Sequence, residues 1–250
     1  MNILNREACE AAIIEWSNCC SDYELIKRLI PTNYVFNFDS SEIQWMRGES
    51  GNSQFCTEIG VYQGALIAIL CPMDADGQMI VTDGYPYSAL QELQHNLTLK
   101  EIAMYTIVKN AVLSKDLEKV DDTSDTSFPV SGKPVLAQDR AVAAIESWRD
   151  EGMMWFYREC TEFRGDRIFR RFYVPSQDIL HSEFKKEETK ETLTHIICSF
   201  GLKYSDIYGR VLPTLIFISF YENLEDNGSV KTISNTYDWS HACPPACGII

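Results

Sequence analysis

The chain closes on His-Ala-Cys-Pro-Pro-Ala-Cys-Gly-Ile-Ile, which places His241, Cys243 and Cys247 within seven residues. Imidazole and thiolate are zinc ligands, and Cys19 or Cys20 could supply a fourth. Two sulfurs this close also raise a disulfide or a redox pair. The prolines oppose all three in their simplest form. A diproline holds the chain near the polyproline conformation at about 3.1 Å per residue, and Cys243 is pushed there because it precedes proline. Four such steps part the two cysteine Cα atoms by roughly 12 Å, whereas a disulfide needs about 4.4 to 6.8 Å. A local bridge or shared ion therefore requires a cis proline or a sharp bend at Ala246. The simpler expectation is a stiffened terminal strap whose cysteines and final isoleucines fill gaps in the core. That expectation involves no metal; His241, Cys243 and Cys247 are the candidates it sets aside.

Other motifs fall away in turn. His181-Ser-Glu183 has the His-x-Glu form of a zinc deaminase, in which a histidine and two cysteines bind zinc and the glutamate moves protons. Its partner motif needs two cysteines after proline at a spacing that Cys243 and Cys247 do not have. The run from Pro72 to Asp83 resembles a calcium loop at Asp74, Asp76 and Gly77. Proline stands where the first oxygen ligand belongs, and aspartate where a bidentate glutamate belongs, so a strand-joining turn explains it better. Arg164-Gly-Asp166 reads as a turn too. There is no Gly-x-Ser-x-Gly elbow and no phosphate or dinucleotide glycine loop. His195 and Cys198 would point to opposite faces of a strand. Cys160 with His181 or His195 is better taken as a buried thiol beside ordinary histidines. Glu159 and Glu162, alternating with Arg158 and Arg164, look like solvated cross-strand pairs.

The aromatic residues are more suggestive. Trp155, Phe156 and Tyr157 are consecutive, so in a strand their rings project from both faces, one of them outside the core. Tyr85 and Tyr87 flank a proline in a loop. Trp155, Tyr157, Tyr85 and Tyr87 are the expected binding residues; no catalytic residue is assigned.

These residues must be positioned by an α+β scaffold. Residues 114–135 are rich in Asp, Ser and Thr with two prolines, and read as a linker or long loop between residues 1–113 and 136–250. The two flanking halves look alike. Cys9, Ala12, Ile13 and Trp16 fall on one helical face, and Ala141, Ala144, Ile145 and Trp148 repeat the pattern. Ala11 aligns with Ala143, Ser40 with Ser176 and Leu66 with Leu215, each apolar strand leading to a turn, Asp-Ala-Asp-Gly or Glu-Asp-Asn-Gly. This suggests an internal duplication, each half an amphipathic helix on a mainly antiparallel curved sheet. Gly152–Phe163 and Arg167–Pro175 are expected as a hairpin around the Arg-Gly-Asp turn, and Glu42–Tyr62 as another. Glu191–Phe200 and Leu212–Tyr221 read as strands, and Thr98 with Glu101 as the capping box of a helix.

Bulk composition narrows the function. The 250 residues are 45% hydrophobic and 12% aromatic, as in a folded globular protein, and carry a formal charge of -14. That charge argues against nucleic acid, which needs clustered Lys and Arg, and suits a basic protein partner. The longest apolar stretch is about half a membrane span, and the start shows no secretory leader, so neither membrane nor export is expected. Nine cysteines without framework spacing fit reduced thiols in the cytoplasm. The expected function is a non-catalytic, immunity- or inhibitor-like protein-binding module with an acidic, aromatic-dotted surface. The alternative is an enzyme or small-molecule binder with a pocket in a sheet or between the halves. No cofactor is implied, and a homo-oligomer is compatible with the composition.

Overall fold

The computed structural model describes residues 2–50, 54–92, 138–175, 185–186, 191–223, 230–237 and 240–245. The linker of residues 114–135, the Thr98/Glu101 capping box, the His181/Glu183 motif, the Glu-Asp-Asn-Gly turn and Cys247 lie outside them.

Strand β1 (Ile3–Leu4) leads into helix α1 (Arg6–Cys19). The Asn5 side chain caps α1 by accepting from the Ala8 N–H at 2.8 Å. Its buried stripe is Cys9, Ala12, Trp16 and Cys19, the helical spacing expected. Helix α2 (Tyr23–Leu29), capped by Asp22, strand β2 (Tyr34–Asp39) and helix α3 (Ser40–Glu49) follow. Then come strands β3 (Gln54–Tyr62), β4 (Ala65–Pro72), β5 (Tyr85–Ala89) and β6 (Gln91–Glu92). The second half holds helix α4 (Gln138–Phe163) and strands β7 (Arg171–Pro175), β8 (Lys185–Lys186), β9 (Glu191–Ser205), β10 (Arg210–Asn223), β11 (Val230–Tyr237) and β12 (His241–Cys243).

Two expected hairpins are helical instead. Glu42–Glu49 belongs to α3, whose Glu42 carboxylate accepts from the Asp39 N–H at 2.8 Å and closes the first turn. Gly152–Phe163 is the second half of α4. Its buried positions run Ala141, Ala144, Trp148, Gly152, Phe156 and Glu159, one uninterrupted helical stripe. The Arg-Gly-Asp segment is a turn after that helix, with Arg164 and Gly165 at positive φ.

The strands form two antiparallel sheets, ordered β1-β5-β4-β3-β7-β12 and β11-β10-β9-β2-β6, with β8 also beside β9. Each sheet draws strands from both sides of residues 114–135: β2 pairs with β9, and β7 with β3. At both ends the chain changes sheet, from β5 to β6 and from β11 to β12. The sheets face each other over a shared core containing Phe36, Phe38, Phe55, Phe172, Phe200 and Phe217. Phe55 of β3 and Phe217 of β10 meet edge to face at 6.0 Å.

Helices back the outer faces: α1 packs on β3 and α4 on β9. This explains why β4 and β10 are apolar without alternation. In β4, Leu66, Ala68 and Leu70 enter the shared core while Ile67, Ile69 and Cys71 lie in the cluster with α1. In β10, Leu215 and Phe217 point inward while Ile216, Ile218 and Phe220 cluster with Ala141 and Ala144 of α4. Each helix approaches its sheet closely over a glycine. A Cβ on Gly60 would sit 3.0 Å from Ala12 Cβ, and one on Gly201 would sit 3.2 Å from Ala144 Cβ. No described helix is long and apolar enough to cross a membrane.

Candidate binding surface and buried polar sites

The four aromatic residues singled out by sequence do not converge. Trp155 and Tyr157 lie on α4, whereas Tyr85 and Tyr87 lie on β5 in the other sheet. Tyr85 is buried, and Tyr87 is half-buried edge to face with Tyr62 at 5.8 Å. Helical geometry turns Trp155, Phe156 and Tyr157 about 100° apart rather than onto alternate faces. Phe156 enters the core, Trp155 is half-buried, and Tyr157 is 49% exposed beside Tyr23 of α2.

Trp155 leads to a surface that the sequence did not single out. Its indole N–H donates to the Val211 carbonyl at 3.2 Å, tying α4 to the tip of the β9–β10 hairpin. That tip carries Tyr204 at 63% exposure and Ile207 at 83%, with Tyr208 and Val211 also exposed. Met154, next to Trp155, is 61% exposed. The β3–β4 hairpin closes with only Gln63 and Gly64 between Tyr62 and Ala65. The β9–β10 hairpin runs on to Ser205 and Arg210 around a four-residue turn. β-Branched and aromatic composition marks β9 and β10 as strands; only the length of the hairpin, which composition does not reveal, marks the tip.

Beneath α1 lies a buried ionisable cluster. Glu58 of β3 is 0% exposed and pairs with Arg171 of β7 at 3.0 Å. The Cys56 thiol lies 3.8 Å from its Oε1, and Oε2 has no hydrogen-bond partner. Burial pushes the Glu58 carboxyl up to about 6, against the opposing pull of Arg171. At Arg171 burial works to lower the pKa, yet Glu58, Cys56 and Tyr173 hold it above the ordinary range. Both shifts are upward, which favours the neutral acid at Glu58 and the charged form at Arg171, because Glu58 is sealed while the Arg171 side chain is 38% exposed to water; the buried carboxylate bears the desolvation cost. Cys56 and Cys71, paired across β3 and β4, both have thiols pushed well up, Cys56 chiefly by burial and Cys71 by Cys9 and burial. They are poor nucleophiles. Strand alternation puts Cys56, Glu58 and Gly60 on one face, but nothing in the sequence shows that a helix covers it.

On the other sheet, His195 stacks flat on Phe220, 4.8 Å between ring centroids. The register slips between Phe220 and Tyr221, leaving Thr194 as the extra residue of a bulge. The Thr194 hydroxyl donates to the Phe220 carbonyl at 3.1 Å and lies 3.0 Å from His195 Nδ1. Its one proton being used, it accepts from Nδ1–H, which leaves Nε2 as the acceptor of the neutral ring. Burial lowers the His195 pKa, and Asp39, opposite it on β2, pulls the other way. Cys198 sits on the opposite face in the shared core, so the two form no catalytic pair.

Several expectations change in detail. Glu159 and Glu162 are helical, not cross-strand: Glu159 is buried and bridged by Arg167 at 3.2 Å, while Glu162 is an exposed partner of Arg158 at 3.9 Å. Cys160 donates to the Cys20 carbonyl at 3.5 Å, a packing role. The Asp74 carboxylate accepts from the N–H groups of Asp76 and Gln78, and Met73 bridges to Met79, a side-chain-closed turn between β4 and β5.

In the tail, β12 pairs His241 with Tyr173 and Cys243 with Arg171 on β7. The trans diproline assumed for it does not hold: the Cys243–Pro244 and Pro244–Pro245 bonds are both cis. Nor is Cys243 a reduced filler, for it is disulfide-bonded, whereas Cys9, Cys19, Cys20, Cys56, Cys71, Cys160 and Cys198 are free. Among the described residues no group of three or more His, Cys, Asp or Glu side chains is arranged to hold a metal ion.

With this geometry established, comparison with protein-family profiles, curated proteins and solved structures returned no match to any of them.

Proposed function

We propose that the chain is a protein-binding module without chemistry of its own, engaging its partner through the β9–β10 tip and the adjoining outer side of α4. One observation carries this reading: Tyr204, Ile207, Tyr208 and Val211 are all exposed at a single hairpin end, and Met154, next in sequence to the Trp155 that bonds Val211, is exposed too. Isolated exposed apolar residues need no explanation, but two tyrosines grouped with aliphatic residues at one end have the aromatic enrichment of an interface. Exposed Asp150, Glu151 and Glu162 on α4 and the overall charge of -14 favour a partner whose rim is basic.

The scaffold is read as two copies of one unit. Phe36 faces Cys198 across β2 and β9, and Phe172 faces Thr57 across β7 and β3. Phe36 and Phe172 are 136 residues apart, the spacing from Ser40 to Ser176; Thr57 and Cys198 are 141 apart, as are Gly60 and Gly201. Gly60 faces Ile67 and Gly201 faces Thr214, so equal register sets Ala68, not Leu66, beside Leu215. Seven free thiols fit the reducing cytoplasm, and the disulfide at Cys243 pulls the other way.

The test uses Ile207→Asp/Tyr208→Ser against the parent protein as bait in quantitative capture, then titrates the purified partner. A partner held by the parent and at least tenfold weaker on the variant, about 1.4 kcal/mol, supports the reading. Equal affinity for both, or no partner that discriminates between the baits, refutes it.

A further inference from the structure

We infer that the two halves of this chain are obligate binding partners of each other, so that the molecule is a strand-exchanged dimer closed within one polypeptide. Each half gives its first long strand to the sheet of the other. β2, from the first half, forms ladder pairs from Phe36↔Cys198 to Asp39↔His195 with β9. β7, from the second, pairs from Gln54↔Pro175 to Glu58↔Arg171 with β3. Each donated strand carries a second strand of its own half into that sheet, β6 beside β2 and β12 beside β7.

Neither half is complete without the other. Removing the second half strips β7 from β3, leaving the Gln54–Glu58 edge unpaired and Glu58 without Arg171. Removing the first strips β2 from β9 and opens the shared core at Phe200, which packs against Phe36 at 5.5 Å. Phe36, Phe38 and Phe172 are 0% exposed, and all three belong to donated strands. The helices are locked across the divide too. The Trp16 indole N–H of α1 donates to the Phe169 carbonyl at 2.8 Å, and the Cys160 thiol of α4 donates to the Cys20 carbonyl at 3.5 Å. An internal duplication alone would not require any of this: two tandem copies can each keep their own strands. The inference rests on strand exchange and stands or falls separately from the binding role of the hairpin tip.

The experiment keeps the whole molecule. A protease site is inserted between Asp122 and Thr123, the folded protein is cleaved, and the nicked product is followed without denaturant. It is expected to elute as one species of about the intact 28.6 kDa with its near-ultraviolet circular dichroism retained. After unfolding in urea, its refolding becomes second order, so tenfold dilution slows it tenfold, while the uncut chain refolds at a rate independent of concentration. As a second arm, residues 1–122 and 123–250 are co-expressed with a tag on the first alone. They are expected to copurify one to one, and each expressed by itself to lack a cooperative unfolding transition. Separation of the nicked fragments in native buffer, or a cooperative transition in either fragment alone, overturns the inference.

Discussion

Replacing Glu58 with Gln tests the claim that a sealed carboxylate is held beneath α1 against its own preference. The side chain is 0% exposed, and its pKa rises from 4.5 to about 6. One pKa unit corresponds to about 1.36 kcal/mol, so the shift represents about 2 kcal/mol. The sign follows from proton binding. A carboxyl with a raised folded pKa takes up a proton on folding, so its stabilising contribution is complete below pH 4.5 and is lost as pH rises through 6. Arg171, Cys56 and Cys71 face it, with Tyr173 beside Arg171 and Cys9 beside Cys71, and none is altered by the substitution. Glutamine mimics the protonated acid. In urea unfolding at pH 4.5, 5, 6 and 7.5, the stability difference between Glu58→Gln and the parent should therefore move by about 1.6 kcal/mol in favour of the variant as pH rises, since the unfolded carboxyl is already half ionised at the lowest of these. The other titrating groups cancel in that difference. A flat difference would mean that Glu58 is not desolvated. A change of the opposite sign would mean that the Arg171 pair outweighs burial and that the carboxyl is held ionised, refuting the reasoning.

Two further outcomes follow from packing. Gly60→Ala should cost about 1–3 kcal/mol, because the new methyl meets Ala12 Cβ at 3.0 Å and the rigid α1 backbone at 3.1 Å. Gly201→Ala should cost less, its nearest neighbour being the rotatable Ile216 Cδ1; chemical denaturation of both variants checks the ranking, and the reverse order would show that α1 yields more readily than Ile216. Ser240→Ala should cost about 1–3 kcal/mol by the same measure, since the Ser240 hydroxyl serves the Leu215 N–H and lies 2.8 Å from the Thr214 hydroxyl, both buried. A loss below half a kilocalorie per mole would mean that water replaces it.

Sequence periodicity exposed the elements whose surroundings are one-sided. Ala12 and Trp16, or Ala144 and Trp148, contrast with exposed neighbours, so the helical stripe was plain. The C-terminal half of α4 hides its periodicity because it has neighbours on several sides: Trp155 reaches Val211, Phe156 the core and Tyr157 the Tyr23 ring. An apolar residue is then useful at three successive positions, and the run imitates a strand. Helix α3 carries a start signal, Asp39 three residues before Glu42, that the reading of Glu42–Tyr62 as a hairpin leaves unused. β-Branched and aromatic content reveals β9 and β10 yet does not assign β2 and β7 to sheets, because a strand's composition records burial and not the identity of its neighbour. The exposed tip escaped notice for the same reason. Tyr204 and Ile207 have the residue types of a core and owe their exposure to the reach of the hairpin.

That Phe36 rests against Phe200 has a practical corollary for genetics. A lesion early in the gene would be relieved by second-site changes far downstream, around codons 198 to 200, rather than within its own flank. Any map of suppressors should therefore form two distant clusters that answer each other, and a screen confined to one end of the coding sequence would miss half the solutions.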